Sequence, residues 1–116
     1  MTQVLAVRIA NFGGVLKELA PGADLLRDDV RLVLFKTASR ARYMRFAMGR
    51  LVGRDWPDEQ IELVHTTQIT CRALPSVGEK ESAVIYCEAD GEILGRLPVQ
   101  ISVTPAAFNL LIPPKA

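Results

Sequence analysis

Two cysteines and a single histidine are all that 116 residues provide in thiols and imidazoles. Cys71 and Cys87 are too few for a disulfide framework and lack the paired spacing of a zinc site. Each falls in a segment that reads as strand, where a free thiol packs as a small hydrophobe, so both are expected to be reduced and buried. His65 also lies in a strand-like stretch and is expected to pack on a sheet. No Ser or Cys sits in a nucleophile-elbow context, and no second His could complete a metal site. The phosphate-cradling Gly-x-x-x-x-Gly-Lys pattern is missing, as is a Gly-x-Gly-x-x-Gly turn. No apolar run approaches the roughly 20 residues that span a bilayer, and the start of the chain lacks a secretory pattern. These absences predict a cytoplasmic chain that acts as no enzyme on its own. Net charge is +1, so no bulk field draws in nucleic acid or anionic lipid. Any such attraction must come from a local cluster.

What is present is ordinary globular material: 49% hydrophobic and 23% charged residues, enough for one domain with a modest core. Val4 to Ile9 is apolar and β-branched, as a strand requires. It runs into the Asn11-Phe12-Gly13-Gly14 turn, then Ala20-Pro21-Gly22-Ala23 and the charged patch Arg27-Asp28-Asp29. Leu32 to Phe35 suits a buried strand. Between Thr37 and Gly53, Met44, Ala47, Met48 and Leu51 recur at i, i+3, i+4 and i+7, the apolar stripe of a helix. Thr37 or Ser39 would cap its start, and Gly53 would end it. The other face carries Arg40, Arg42, Arg45 and Arg50.

After Pro57 the pattern returns to β. Ile61, Leu63 and His65 alternate with polar residues, and Gln68 to Cys71 continues in the same style. Ser76 to Lys80 reads as a loop. Val84 to Ala89 and Glu92 to Leu94 flank Asp90-Gly91, a strong two-residue hairpin signal. Val99 to Thr104 alternates cleanly, and Phe108 to Ile112 reads as a last strand. The expected fold is mainly β: an antiparallel β-sandwich of six or seven strands with one amphipathic helix.

Two stretches together resemble the diacylglycerol kinase family of bacterial lipid kinases, whose relatives include sphingosine and ceramide kinases. One runs from Cys87-Glu88-Ala89-Asp90-Gly91-Glu92 through Pro98-Val99 and Thr104-Pro105-Ala106-Ala107-Phe108 to Pro113. It is similar to the family's closing pattern of strand, Asp-Gly-Glu, Pro, strand, Pro. The other is Ala10-Asn11-Phe12-Gly13-Gly14 followed by Leu19-Ala20-Pro21-Gly22-Ala23, ahead of an acidic loop and an apolar strand. The resemblance covers nearly the whole chain. It implies a C-terminal β-sandwich domain, residues 1–116, of a two-domain ATP-dependent enzyme that phosphorylates a lipid hydroxyl such as that of diacylglycerol. The N-terminal nucleotide-binding domain, with its Gly-Gly-Asp-Gly loop, is then expected to be absent from this chain.

The resemblance also implies roles for particular residues. Glu92 or Asp90 would take the hydroxyl proton while Mg2+ offsets the charge of ATP's phosphates. With extended local geometry, two-residue spacing would put both carboxylates on one side. Many family members hold a structural Mg2+ on an Asp-Asp-Gly loop. Here Leu26-Arg27-Asp28 occupies those positions and the glycine is missing, which leaves Asp28 as the candidate ligand and a solvated acidic loop as the alternative.

Arg40, Arg42, Arg45 and Arg50 would meet anionic headgroups at a membrane surface, or else form a solvated face paired with Asp55, Asp58 or Glu59. Sheet surface left open by a missing domain favours a homodimer. The competing readings are a non-catalytic lipid- or partner-binding β-sandwich and the related nicotinamide-nucleotide kinase plan.

Overall fold

The computed structural model describes residues 3–11, 18–74, 84–109, 111 and 113–114. Seven strands and one helix are formed among them: β1 (Gln3–Val7), β2 (Val30–Phe35), α1 (Arg40–Leu51), β3 (Ile61–Thr66), β4 (Gln68–Cys71), β5 (Tyr86–Ala89), β6 (Glu92–Arg96) and β7 (Val99–Ser102). Every pairing is antiparallel. The mainly β class with a single helix is therefore as expected. The Phe12-Gly13-Gly14 turn and the Ser76–Lys80 loop lie outside the described residues. Phe108, Asn109 and Leu111 belong to no strand, against the expected sixth or seventh one. Their neighbour Ala106 turns the chain at φ 49°, and Phe108 remains exposed.

Two compact units make up the chain, Met1–Thr67 with Val103–Ala116 and, separately, Gln68–Ser102. In the first, β2 is the middle strand of a sheet ordered β1-β2-β3. Val30, Leu32, Val33 and Phe35 are all buried, so β2 presents apolar side chains to both faces, and this explains its continuous hydrophobic run. Leu5 and Leu63 both pair with Val33, and Ile61 pairs with Phe35. These residues, with Val7, build the core face.

One end of that face is covered by α1. Phe35 stacks on Tyr43 with centroids 4.7 Å apart and meets Phe46 edge-on at 5.6 Å. The stripe that α1 buries thus runs through Tyr43, Phe46 and Arg50. It does not run through the expected Met44, Ala47, Met48 and Leu51, of which Met44, Met48 and Leu51 are 61, 43 and 42% exposed. The sequence pattern was offset by one position. Aromatic rings bury more area than methionine and gain further from stacking, so they decide the helix's rotation. Arg50 disguised the true stripe. Its side chain is 11% exposed, pairs with Asp55 and lies 5.8 Å from the Phe46 ring centre.

Ser39 is the N-cap residue, without a side-chain capping bond. The C-terminus closes on Gly53 at φ 66°. There the Gly53 N–H donates to Arg50 O (3.4 Å) and the Arg54 N–H to Gly49 O (2.9 Å), the paired bonds of a Schellman motif. A Cβ on Gly49 would lie 2.9 Å from Arg54 O, so this close return of the chain requires glycine there.

The second unit contains two two-stranded sheets, β4-β7 and β5-β6. Cys71 and Cys87 are free thiols on β4 and β5, half-buried and not fully buried as expected. Burial, and secondarily the neighbouring Cys87, pushes the Cys71 thiol above its ordinary value.

The rotation of α1 can be checked by stability measurements. Phe35→Ala should cost about 3–5 kcal/mol in denaturant unfolding, whereas Met48→Ala should stay within about 0.5 kcal/mol. A larger loss for Met48→Ala would place that residue in the core.

Candidate functional site

The hairpin tip forms as its two turn residues dictate. Ala89 pairs with Glu92, which leaves Asp90 and Gly91 as the loop. Both have positive φ, 51° and 85°, as a type I′ turn demands. Nothing surrounds the position of a Gly91 Cβ, so glycine serves the backbone angle there and not a close contact. Asp90 and Glu92 are both exposed. Among the described residues neither carboxylate makes a hydrogen bond or ion pair. The expectation that extended alternation puts them on one side does not apply, because the chain is left-handed at Asp90 and Gly91. Glu92 instead opens β6, with Asp90 in the turn before it.

Behind the tip the hairpin is irregular. Its register shifts between Cys87, opposite Gly95, and Glu88, opposite Ile93. Past the shift the pairing continues through Tyr86 and Arg96 to the end of β6, beyond which the Leu97 N–H donates to Ile85 O at 2.9 Å. Ile85, Tyr86, Ile93 and Leu94 are exposed. The result is a two-stranded hairpin that carries apolar side chains into solvent, with two unspent carboxylates at its end.

The acidic loop in the other unit has the opposite character. Arg27 clamps Asp29 through Nε (2.9 Å) and Nη2 (2.6 Å). His65 Nδ1 faces the same carboxylate at 3.4 Å. The Arg27 guanidinium holds Asp29 below the ordinary carboxylate range, against the opposing cost of desolvation. Arg31 Nε donates to Pro21 O at 2.7 Å, and Gly22 sits at φ 85° beside His65 and Arg31. The sequence reading passed over Arg8. Its guanidinium donates to Leu25 O and Arg27 O, fastening the loop to the end of β1. A lone arginine closing an apolar strand was the one available signal for it.

Asp28 is exposed and unpaired among the described residues. A hard cation there would need oxygen ligands, yet two loop carbonyls already serve a guanidinium. Among the described residues no group of three or more His, Cys, Asp or Glu side chains gathers to hold a metal. Two carbonyls near Asp28, Leu25 O and Arg27 O, are engaged by the Arg8 guanidinium in this arrangement.

Of the four helix arginines, Arg42 binds Asp58 at 2.5 Å and Arg50 binds Asp55. Asp58 is held below the ordinary carboxylate range by the Gln60 N–H first and by Arg42 next. A cleft of about 440 Å3 lies between the start of α1 and residues 57–60, with Arg42 and Arg45 facing Asp58 and Glu59 in balanced charge. Among the described residues no helix is long and apolar enough to cross a membrane.

Residues 2–112 match the family model described as the YegS C-terminal NAD kinase beta sandwich-like domain. The chain belongs to that family. It is the C-terminal domain type of the YegS-like lipid kinases, in the diacylglycerol kinase family, as the Asp-Gly-Glu hairpin and its Pro-rich sequel suggested. No curated protein and no solved structure gives a significant match.

Three measurements test the loop and the ion pairs. Arg8→Met should lower the melting temperature by several degrees, since it strips a charged donor from two carbonyls, worth about 1.5–3 kcal/mol. Millimolar Mg2+ should leave the wild-type melting temperature unchanged, and a rise would show that the loop binds the ion. The depressed Asp29 and Asp58 carboxyls stabilise the fold above the ordinary carboxylate range near about pH 4. That stability is lost as pH falls through and below this range, so Asp58→Asn should flatten the acid limb of a melting-temperature profile.

Proposed function

We propose that this domain is the acceptor side of an ATP-dependent lipid kinase, with the 90–92 hairpin supplying the base for phosphoryl transfer to a lipid hydroxyl. The observation that carries the reading is the tip itself. In a chain matched almost end to end by a lipid-kinase domain family, it projects two carboxylates with no partner among the described residues. In this reading Glu92 accepts the hydroxyl proton as the lipid oxygen bonds to the γ-phosphorus and ADP departs with the bridging oxygen. Asp90 supports the same tip, either as the alternative base or toward the nucleotide's metal. Nucleotide and Mg2+ are contributed by a nucleotide-binding domain, because the sequence carries neither of the glycine motifs that cradle phosphates. Diacylglycerol is the proposed acceptor.

The test is ATP-dependent phosphorylation of diacylglycerol by the polypeptide carrying both domains. Glu92→Gln should reduce kcat by about 100-fold or more at unchanged melting temperature. If Glu92→Gln and Asp90→Asn both kept full turnover, the catalytic role of the hairpin would be lost. The rival, a lipid- or partner-binding domain without chemistry, predicts no turnover in any such polypeptide.

A further inference from the structure

Cys71 and Cys87 lie in one compact unit, on its two different sheets, and both are half-buried free thiols. In β4 and β7 the partly covered residues are Ile69, Cys71, Val99 and Ile101, which alternate with exposed ones. In β5 and β6 they are Cys87 and Gly95 alone. Each thiol therefore sits on the covered side of its sheet. The register places both beside one joint. Cys71 pairs with Val99, which opens β7, and Cys87 pairs with Gly95, one residue before the end of β6. Only Leu97 and Pro98 connect those two strands. Burial raises the Cys71 thiol, and the nearby Cys87 raises it further, as two thiols in mutual reach do. Gly95 has no side chain to stand across from Cys87. Among the described residues nothing lies within 4 Å of where its Cβ would be, so a small oxidant reaches Cys87 from that side.

We propose that Cys71 and Cys87 form a reversible disulfide that fastens the β5-β6 hairpin to the β4-β7 sheet when the protein meets a peroxide. The Cys87 thiolate attacks one oxygen of hydrogen peroxide, the O–O bond breaks, and hydroxide leaves behind a sulfenic acid. The Cys71 thiolate then attacks the Cys87 sulfur, the S–O bond breaks, and a second hydroxide departs. Each hydroxide takes up the proton that one thiol gave up. Two thiols and one peroxide thus become one disulfide and two waters. Access and charge set the order. Cys71, with its raised thiol, holds less thiolate and is the resolving partner, while Cys87 faces the open side. Full burial, as expected from the sequence, would shut the peroxide out, and half-burial admits it. The bridge closes residues 71–87 into a loop, which restrains the unfolded chain. It also ties down a two-stranded hairpin that is marginal by itself.

Mass spectrometry of the chain after exposure to hydrogen peroxide, with the remaining thiols alkylated, tests this. Trypsin cuts after Arg72 and Lys80, between the two cysteines, so the bridge joins residues 55–72 to residues 81–96. The wild type should lose both alkylatable thiols and yield that linked pair from a monomer. It should also melt several degrees higher, and dithiothreitol should reverse each change. Cys71→Ser should stop at the Cys87 sulfenic acid, which dimedone traps, and neither Cys71→Ser nor Cys87→Ser should gain in melting temperature. Glu92→Gln should form the bridge as the wild type does, so loss of the catalytic reading leaves this one standing. Any of three results would overturn the proposal: both thiols still alkylatable after peroxide, sulfinic acid in place of the linked peptides, or linkage only between two chains.

Discussion

The stacking of Tyr43 and Phe46 on Phe35 fixes more of this protein than any other contact. Phe35 ends the middle strand of the three-stranded sheet, and only Lys36 to Ser39 separate it from the helix. So short a tether brings the first turn of α1 back over the strand it has just left. The two ring pairs then choose the rotation, each adding about 0.5–1.5 kcal/mol beyond its buried area. Turning the helix by one residue would bury methionines and expose the rings. The remaining features follow from that choice. Arg50 goes inward and needs Asp55, Gly49 meets the returning chain at Arg54, and the Met44–Met48–Leu51 stripe faces out.

A second constraint is the distribution of carboxylates. Asp29, Asp55 and Asp58 are committed to Arg27, Arg50 and Arg42. Asp29 and Asp58 are held at a depressed pKa, and an acid so held is a poor proton acceptor, because its charge is already stabilised. Glu18, Asp28, Glu59, Glu88, Asp90 and Glu92 make no hydrogen bond or ion pair among the described residues. Of these, Asp28 lies in a loop two of whose carbonyls, Leu25 O and Arg27 O, accept from Arg8. The hairpin gathers three of them, Glu88, Asp90 and Glu92, at or beside its turn.

What the sequence revealed depended on how local the determining interaction was. Asp90-Gly91 specified its hairpin because positive φ at two successive positions is a property of those residues themselves. The helix's extent was legible from Gly53 and the 3.6-residue period. Its buried face was not, since two stripes one position apart are both partly apolar, and the choice lies in Phe35, which is remote in the periodic pattern. Arg50 read as surface because the ring beneath it is brought there only by folding, although Asp55 stood among the expected partners of the arginine face. Phe108 to Ile112 looked like a strand on composition alone, and at its described positions that composition did not make one. The Asp-Gly-Glu placement within a long pattern pointed to the family, which the match over residues 2–112 bears out.

The exposed apolar residues around the hairpin bear on the proposed chemistry. A fully solvated carboxylate is a weak base toward an alcohol, and the proton moves only as the oxygen–phosphorus bond forms. Water competes for both partners until it is removed. A two-stranded hairpin is marginal by itself, and Ile85, Tyr86, Ile93 and Leu94 leave a surface that gains by being covered. On the proposed reading, a nucleotide-binding domain or the acyl region of the acceptor covers it. On that reading, the exposed apolar side chains of β5 and β6 are what would draw a covering surface to the hairpin and exclude the water that competes at its tip.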